Sequence, residues 1–204
     1  MRNLLAITLL AGALPFAAAQ EADAKVEARY RVPGNPRLFP QSAPKEALQS
    51  AVKAAENGRF EYVVAHILDP KFVDKRVADR AKDLVETVER DLRALRDAQK
   101  ASPNLTPVDD RIPVEPEAFK GKVDAEAKLR AFRQVVQDMK DRFTDDPTAL
   151  KELQRYAREG AFPAEATAAK GTLKDVKDRA LYFKFADKRW FLENRQTEEK
   201  EGDK

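Results

Sequence analysis

The chain contains no cysteine, one histidine and seven glycines, and its only serines are Ser42, Ser50 and Ser102. Without cysteine there is no disulfide, thiolate nucleophile, iron–sulfur cluster or zinc ribbon, so the fold depends on burial alone. A single histidine rules out a His-pair metal site. None of the serines sits in a Gly-x-Ser-x-Gly turn, which argues against a serine hydrolase, and no glycine-rich loop is present to cradle a phosphate. After the first nineteen residues no apolar run is long enough to span a bilayer. There is also no surplus of one charge. Interspersed along the chain, 38 Lys and Arg face 35 Asp and Glu, a balance that argues against a nucleic-acid partner. The acidic pairs Asp109-Asp110 and Asp145-Asp146 lack the spacing of a calcium loop, and no cofactor is implied.

What is present begins with an address. Arg2, the apolar stretch from Leu4 to Leu14 and Ala17-Ala18-Ala19 before Gln20 read as a cleavable export signal over residues 1–19. The expected destination is a periplasm, an envelope space or the medium. About 185 residues remain, enough for one sizeable domain. Residues 20–43, punctuated by Pro33-Gly34-Asn35-Pro36 and Pro40, read as a Pro-rich arm or linker that Tyr30, Leu38 and Phe39 can pin to the domain. Residues 44–196 form a single α+β domain, and residues 197–204 a charged tail.

Helical spacing dominates the first part of that domain. Ser42 is the expected N-cap of a helix with Pro44 in its first turn and Asn57-Gly58 at its stop. A short second helix carries Phe60, Val63, Val64, Ile67 and Leu68 and ends at Asp69-Pro70. A long helix over 71–100 follows, with an apolar seam of Val77, Ala81, Leu84, Val88, Leu92 and Leu95. A Pro-broken loop then leads to a helix over 124–143, whose seam is Leu129, Phe132, Val136, Met139 and Phe143. The two seams predict an antiparallel helical hairpin over 71–143. One more helix begins at Asp145-Asp146-Pro147 and stops at Gly160.

Beyond Pro163 the period changes from helix to strand. Leu181, Phe183 and Phe185 alternate with Tyr182 and Lys184, Ala186-Asp187-Lys188 turns, and residues 189–193 return, with a less distinct strand near 165–173. The expected class is α+β: N-terminal helices including a long antiparallel hairpin, then a small C-terminal antiparallel sheet. Residues 170–195 carry eight basic against four acidic side chains, suited to an anionic polymer or simply to keeping sheet edges soluble.

The opening Ala-rich helix followed by Asn57-Gly58-Arg59-Phe60-Glu61-Tyr62, and the closing run from Phe183 through Trp190 to Leu192, resemble the ends of the SnoaL-like, nuclear-transport-factor-like cone fold. The resemblance implies a conical pocket for a small ligand. It carries over no catalytic residue, because no family site motif is present, and residues 71–143 would be an insertion or replacement. Tyr62 and His66 lie one helical turn apart and can meet, while Tyr182 and Trp190 sit on the terminal hairpin.

The expected function is an exported, non-catalytic binding module for a small ligand or peptide, with Tyr62, His66, Tyr182 and Trp190 near the pocket mouth. The alternative is an envelope interaction or assembly protein that acts through its helical hairpin, including as a homodimer. A further alternative is a SnoaL-like enzyme using His66. The plainer account of His66 is a capping or surface histidine near its helix end.

Overall fold

A computed structural model describes residues 26–101 and 111–195; the expected signal, most of the Pro-broken loop and the charged tail lie outside the described residues. The element order is α1 (Pro44–Glu56), α2 (Phe60–Tyr62) running into a π-helical turn (Val63–Ile67), α3 (Pro70–Ala101), α4 (Pro116–Asp145), α5 (Pro147–Glu159), then strands β1 (Ala168–Leu173), β2 (Val176–Ala186) and β3 (Arg189–Leu192). The chain is α+β, with its helices before its sheet.

Local chemistry explains most of the boundaries. Pro44 starts α1, but Ala43 rather than Ser42 takes the N-cap position and makes no side-chain cap. Ser42 instead directs its backbone N–H and its hydroxyl to the Glu46 carboxylate. Gly58 ends this region with φ of 68°, a conformation that favours glycine. Asp146 caps α5 by accepting the backbone N–H of Thr148 at 3.0 Å. The short second helix departs from expectation. It widens into a π turn, closed by the Leu68 N–H on the Val63 carbonyl at 3.0 Å, and all five turn residues are buried.

Helices α3 and α4 form the expected antiparallel hairpin, about 45–48 Å long at 1.5 Å per residue. Val77, Ala81, Val88 and Leu92 share one buried cluster with Phe119, Val123, Ala127 and Phe132. Arg130 reaches Asp91 at 2.7 Å across the hairpin, and Arg80 pairs with Asp138 nearer its open end. Two details differ from the sequence expectation. Helix α4 starts at Pro116, two turns earlier, because that proline occupies the first helical turn instead of breaking a loop. Leu95 is 51% exposed. One turn beyond Leu92 the inward position falls to Arg96, whose guanidinium lies 4.8 Å from the Phe119 ring centre.

The sheet is antiparallel in the order β1-β2-β3. Its β2–β3 turn places Asp187 and Lys188 at φ of 49° and 59°, the hand that matches a twisted two-residue hairpin. Phe183 and Trp190 face α1 and α5 in a second cluster with Leu48, Val52 and Tyr156. The free edge of β3 is closed by non-sheet backbone: the Trp190 N–H donates to the Gln41 carbonyl and the Asp69 N–H to the Leu192 carbonyl, each at 2.9 Å. The arm therefore belongs to the packed fold. Phe39 is buried at 1% exposure, and Tyr30 stacks on Phe132 at 4.5 Å between ring centres. Among the described residues no helix is long and apolar enough to cross a membrane.

Candidate functional site

The π turn brings Tyr62 and His66 together, as their spacing predicts, with ring centres 4.8 Å apart. Phe39 of the arm packs on the other side of Tyr62 at 4.3 Å. The Tyr62 hydroxyl accepts the Asn35 N–H at 3.1 Å. His66 is completely buried, not the surface histidine that its place near a helix end suggests. Its Nε2 lies 2.9 Å from the Val32 carbonyl, which makes Nε2 the protonated nitrogen. Nδ1 is buried with no partner among the described residues. Burial, with smaller contributions from Arg189 and Arg29, pulls the His66 pKa below its ordinary value, against the bond to Val32. Burial likewise raises the Tyr62 hydroxyl.

The other two candidate residues are elsewhere. Cross-strand pairing of Phe185 with Trp190 and Phe183 with Leu192 fixes the alternation. Trp190 therefore shares a face with Phe183 and Phe185, toward α1 and α5, while Tyr182 and Phe191 lie on the opposite face. Cations cover that second face: Arg195 stands 4.4 Å and Lys170 5.9 Å from the Tyr182 ring centre, and Arg189 stands 5.0 Å from that of Phe191. Tyr182 and Trp190 are both buried. Gln41 links the two regions, donating from Nε2 to the carbonyls of His66 at 3.0 Å and Trp190 at 2.8 Å.

An open cleft of about 790 Å3 lies where the start of α3, the end of α4, α5 and the outer end of the sheet meet, and none of the four candidate residues lines it. Its apolar walls include Phe72, Met139, Phe143, Leu153, Leu181 and Leu192, all of them only half-buried. Charged groups of both signs form the rim. Three of the acids are already engaged: Asp138 with Arg80, Glu193 with Arg195, and Asp146 with Thr148. Arg76 and Arg142 line the cleft, and no ion pair or hydrogen bond joins either side chain to another described residue. Asp145 is the one rim acid in the same condition.

The helical spacing alone puts Met139 and Phe143 in an ordinary hairpin seam, whereas here they line the cleft. Among the described residues no cluster of three or more His, Asp or Glu can hold a metal ion. No family model, no curated protein and no solved structure matches this chain.

Proposed function

We propose that this is an exported, non-catalytic binding protein whose site is the cleft between the helical hairpin and the sheet. Its ligand has an apolar body and one anionic end. The observation that carries this reading is the cleft itself, whose large apolar side chains stay half-exposed to one cavity. Its volume of about 790 Å3 falls in the range of roughly 300–1,000 Å3 usual for small-molecule sites. Arg76 and Arg142, which pair with no carboxylate among the described residues, can receive an anionic end, since a guanidinium grips a carboxylate through paired hydrogen bonds. The export reading rests on the leader. Kinship with the SnoaL-like cone fold is supported only by the order of the opening helices and the terminal hairpin. The complete burial of His66 lends no support to an enzymatic role.

Calorimetric titration of the full chain with decanoate and with decan-1-ol tests the proposal. Decanoate is expected to bind about tenfold more tightly, the equivalent of ~1.4 kcal/mol for the added charge contact. Ala149→Trp, which fills the cleft from α5, is expected to abolish binding of both. Binding that survives Ala149→Trp, or no binding of either compound, overturns the reading.

The second reading, an envelope interaction protein working through the hairpin, is favoured by Leu95 and Val114, which are 51% and 66% exposed toward its far end. The hairpin seams themselves are filled within the chain, so a homodimer would have to use this distal patch. A monomer at all concentrations by light scattering would leave only a different partner for it.

A further inference from the structure

We propose that residues 26–35 form a strap over the π turn, and that protonation of the buried His66 releases it about a hinge at Pro36. This inference is independent of the cleft. The strap folds back on itself: the side chain of Val26 packs so closely on Gly34 that a Cβ there would come within 2.4 Å of it. Three of its polar contacts land on one short segment, Tyr62 to His66. Arg29 Nη1 donates to the Ala65 carbonyl at 2.6 Å, His66 Nε2 donates to the Val32 carbonyl at 2.9 Å, and the Asn35 N–H donates to the Tyr62 hydroxyl at 3.1 Å. Its remaining anchors are on the hairpin, where Arg29 and Tyr30 both bond the exposed Asp74 and Tyr30 stacks on Phe132. Beyond the hinge the chain is held by buried Phe39, by the Gln41 bridge to β3 and by the Ser50 hydroxyl on the Pro40 carbonyl.

The physical basis is an imidazole with nowhere to put a second proton. Neutral His66 already leaves Nδ1 without a partner. The cation would place an unpaired N–H and a positive charge in a fully buried site. The ionisable groups facing it are Tyr62 on its own segment, Arg29 on the strap and Arg189 on β3. Two of these are cations, and Asp74 is already bound to Arg29. Lifting the strap takes Val32 off the ring and opens the imidazole to water. With the strap docked the histidine titrates below its ordinary value, so the docked form binds fewer protons than the open form. Docking is therefore complete above about pH 6.5, the ordinary value for histidine, and weakens as the pH falls below it by up to tenfold per unit. The loss levels off once the docked histidine itself titrates. π-helical turns recur at functional positions in other proteins, and here the turn supplies both the buried imidazole and the bonds that hold the strap.

The only histidine in the chain gives one unambiguous imidazole proton signal, and the Asn35 amide reports docking directly. NMR titration of the full chain from pH 8 to 4.5 would follow both, with amide exchange corrected for its intrinsic pH dependence. The expected result is an imidazole midpoint below the ordinary value and an Asn35 protection factor that falls as the pH drops from 6.5 to 5, while the Phe183 amide of β2 keeps its protection. In His66→Gln, whose side-chain amide can still donate to Val32 but does not titrate, Asn35 protection is expected to be independent of pH. Should that variant fail to fold, the native chain alone decides. The proposal is overturned if His66 titrates at or above its ordinary value, if Asn35 protection does not change, or if Asn35 and Phe183 lose protection together.

Discussion

Replacing Phe39 by Ala tests whether the proline-punctuated arm is a tether or part of the fold. Phe39 is 1% exposed, packs against Tyr62 at 4.3 Å between ring centres and has the Lys53 ammonium 5.8 Å from its ring centre. It belongs to the same cluster as Val64, Ile67 and Val73. Removing a buried Phe ring loses its transfer free energy and leaves a cavity, together about 3–5 kcal/mol. For a domain of this size each kcal/mol lowers Tm by roughly 2–4 °C, so the expected drop is about 6–20 °C. The free energy of unfolding follows from urea titration monitored by circular dichroism, with Trp190 fluorescence as a second probe. Both probes should shift together, because the backbone carbonyl of Gln41, two residues on, accepts the Trp190 N–H. A loss under about 1 kcal/mol would refute the reasoning, since it would mean that the arm adds little to the fold and that the Phe39 site is readily vacated.

Further perturbations separate core from surface along the hairpin. Leu92→Glu buries an unpaired carboxylate in the seam and is expected to cost about 4 kcal/mol or more, whereas Leu95→Glu, at an exposed position, should stay within about 0.5 kcal/mol in a thermal melt. Arg130→Ala removes a half-exposed ion pair with Asp91 and should cost under about 1 kcal/mol, with the loss shrinking at high salt. In the β2–β3 turn, Lys188→Gly relieves a left-handed φ of 59° and is expected to stabilise the chain by about 1 kcal/mol; an unchanged or lower Tm would count against the turn geometry. Arg142→Gln, on the cleft rim, should weaken decanoate binding severalfold while leaving decan-1-ol binding unaltered by calorimetry.

Periodicity made the helices legible. The spacing of Val77, Ala81, Val88 and Leu92 corresponds to a stripe that a helix must bury, and the same four residues are buried. Alternation from Leu181 to Phe185 likewise identified β2, although the strand runs back to Val176. Helix and strand ends were less legible. Pro116 is compatible with either a loop or the first helical turn, and only the packing of Phe119 and Val123 against α3 selects the second. The π turn left no trace in the sequence, because Val63, Val64 and Ile67 fit an ordinary helix equally well.

The candidate residues divide in the same way. The sequence by itself determined that Tyr62 and His66 would touch, since a separation of four residues is a local property of a helical turn. It also determined that Trp190 and Phe191 would point to opposite faces of their strand. Only the tertiary structure decided that both faces would be covered, that His66 would lie under the arm with one nitrogen unpartnered, and that an open cleft would form elsewhere. Burial and cavities depend on how separate elements meet. The half-exposed walls of the cleft come from the hairpin, α5 and the sheet, whose distance in space is no function of their distance along the chain.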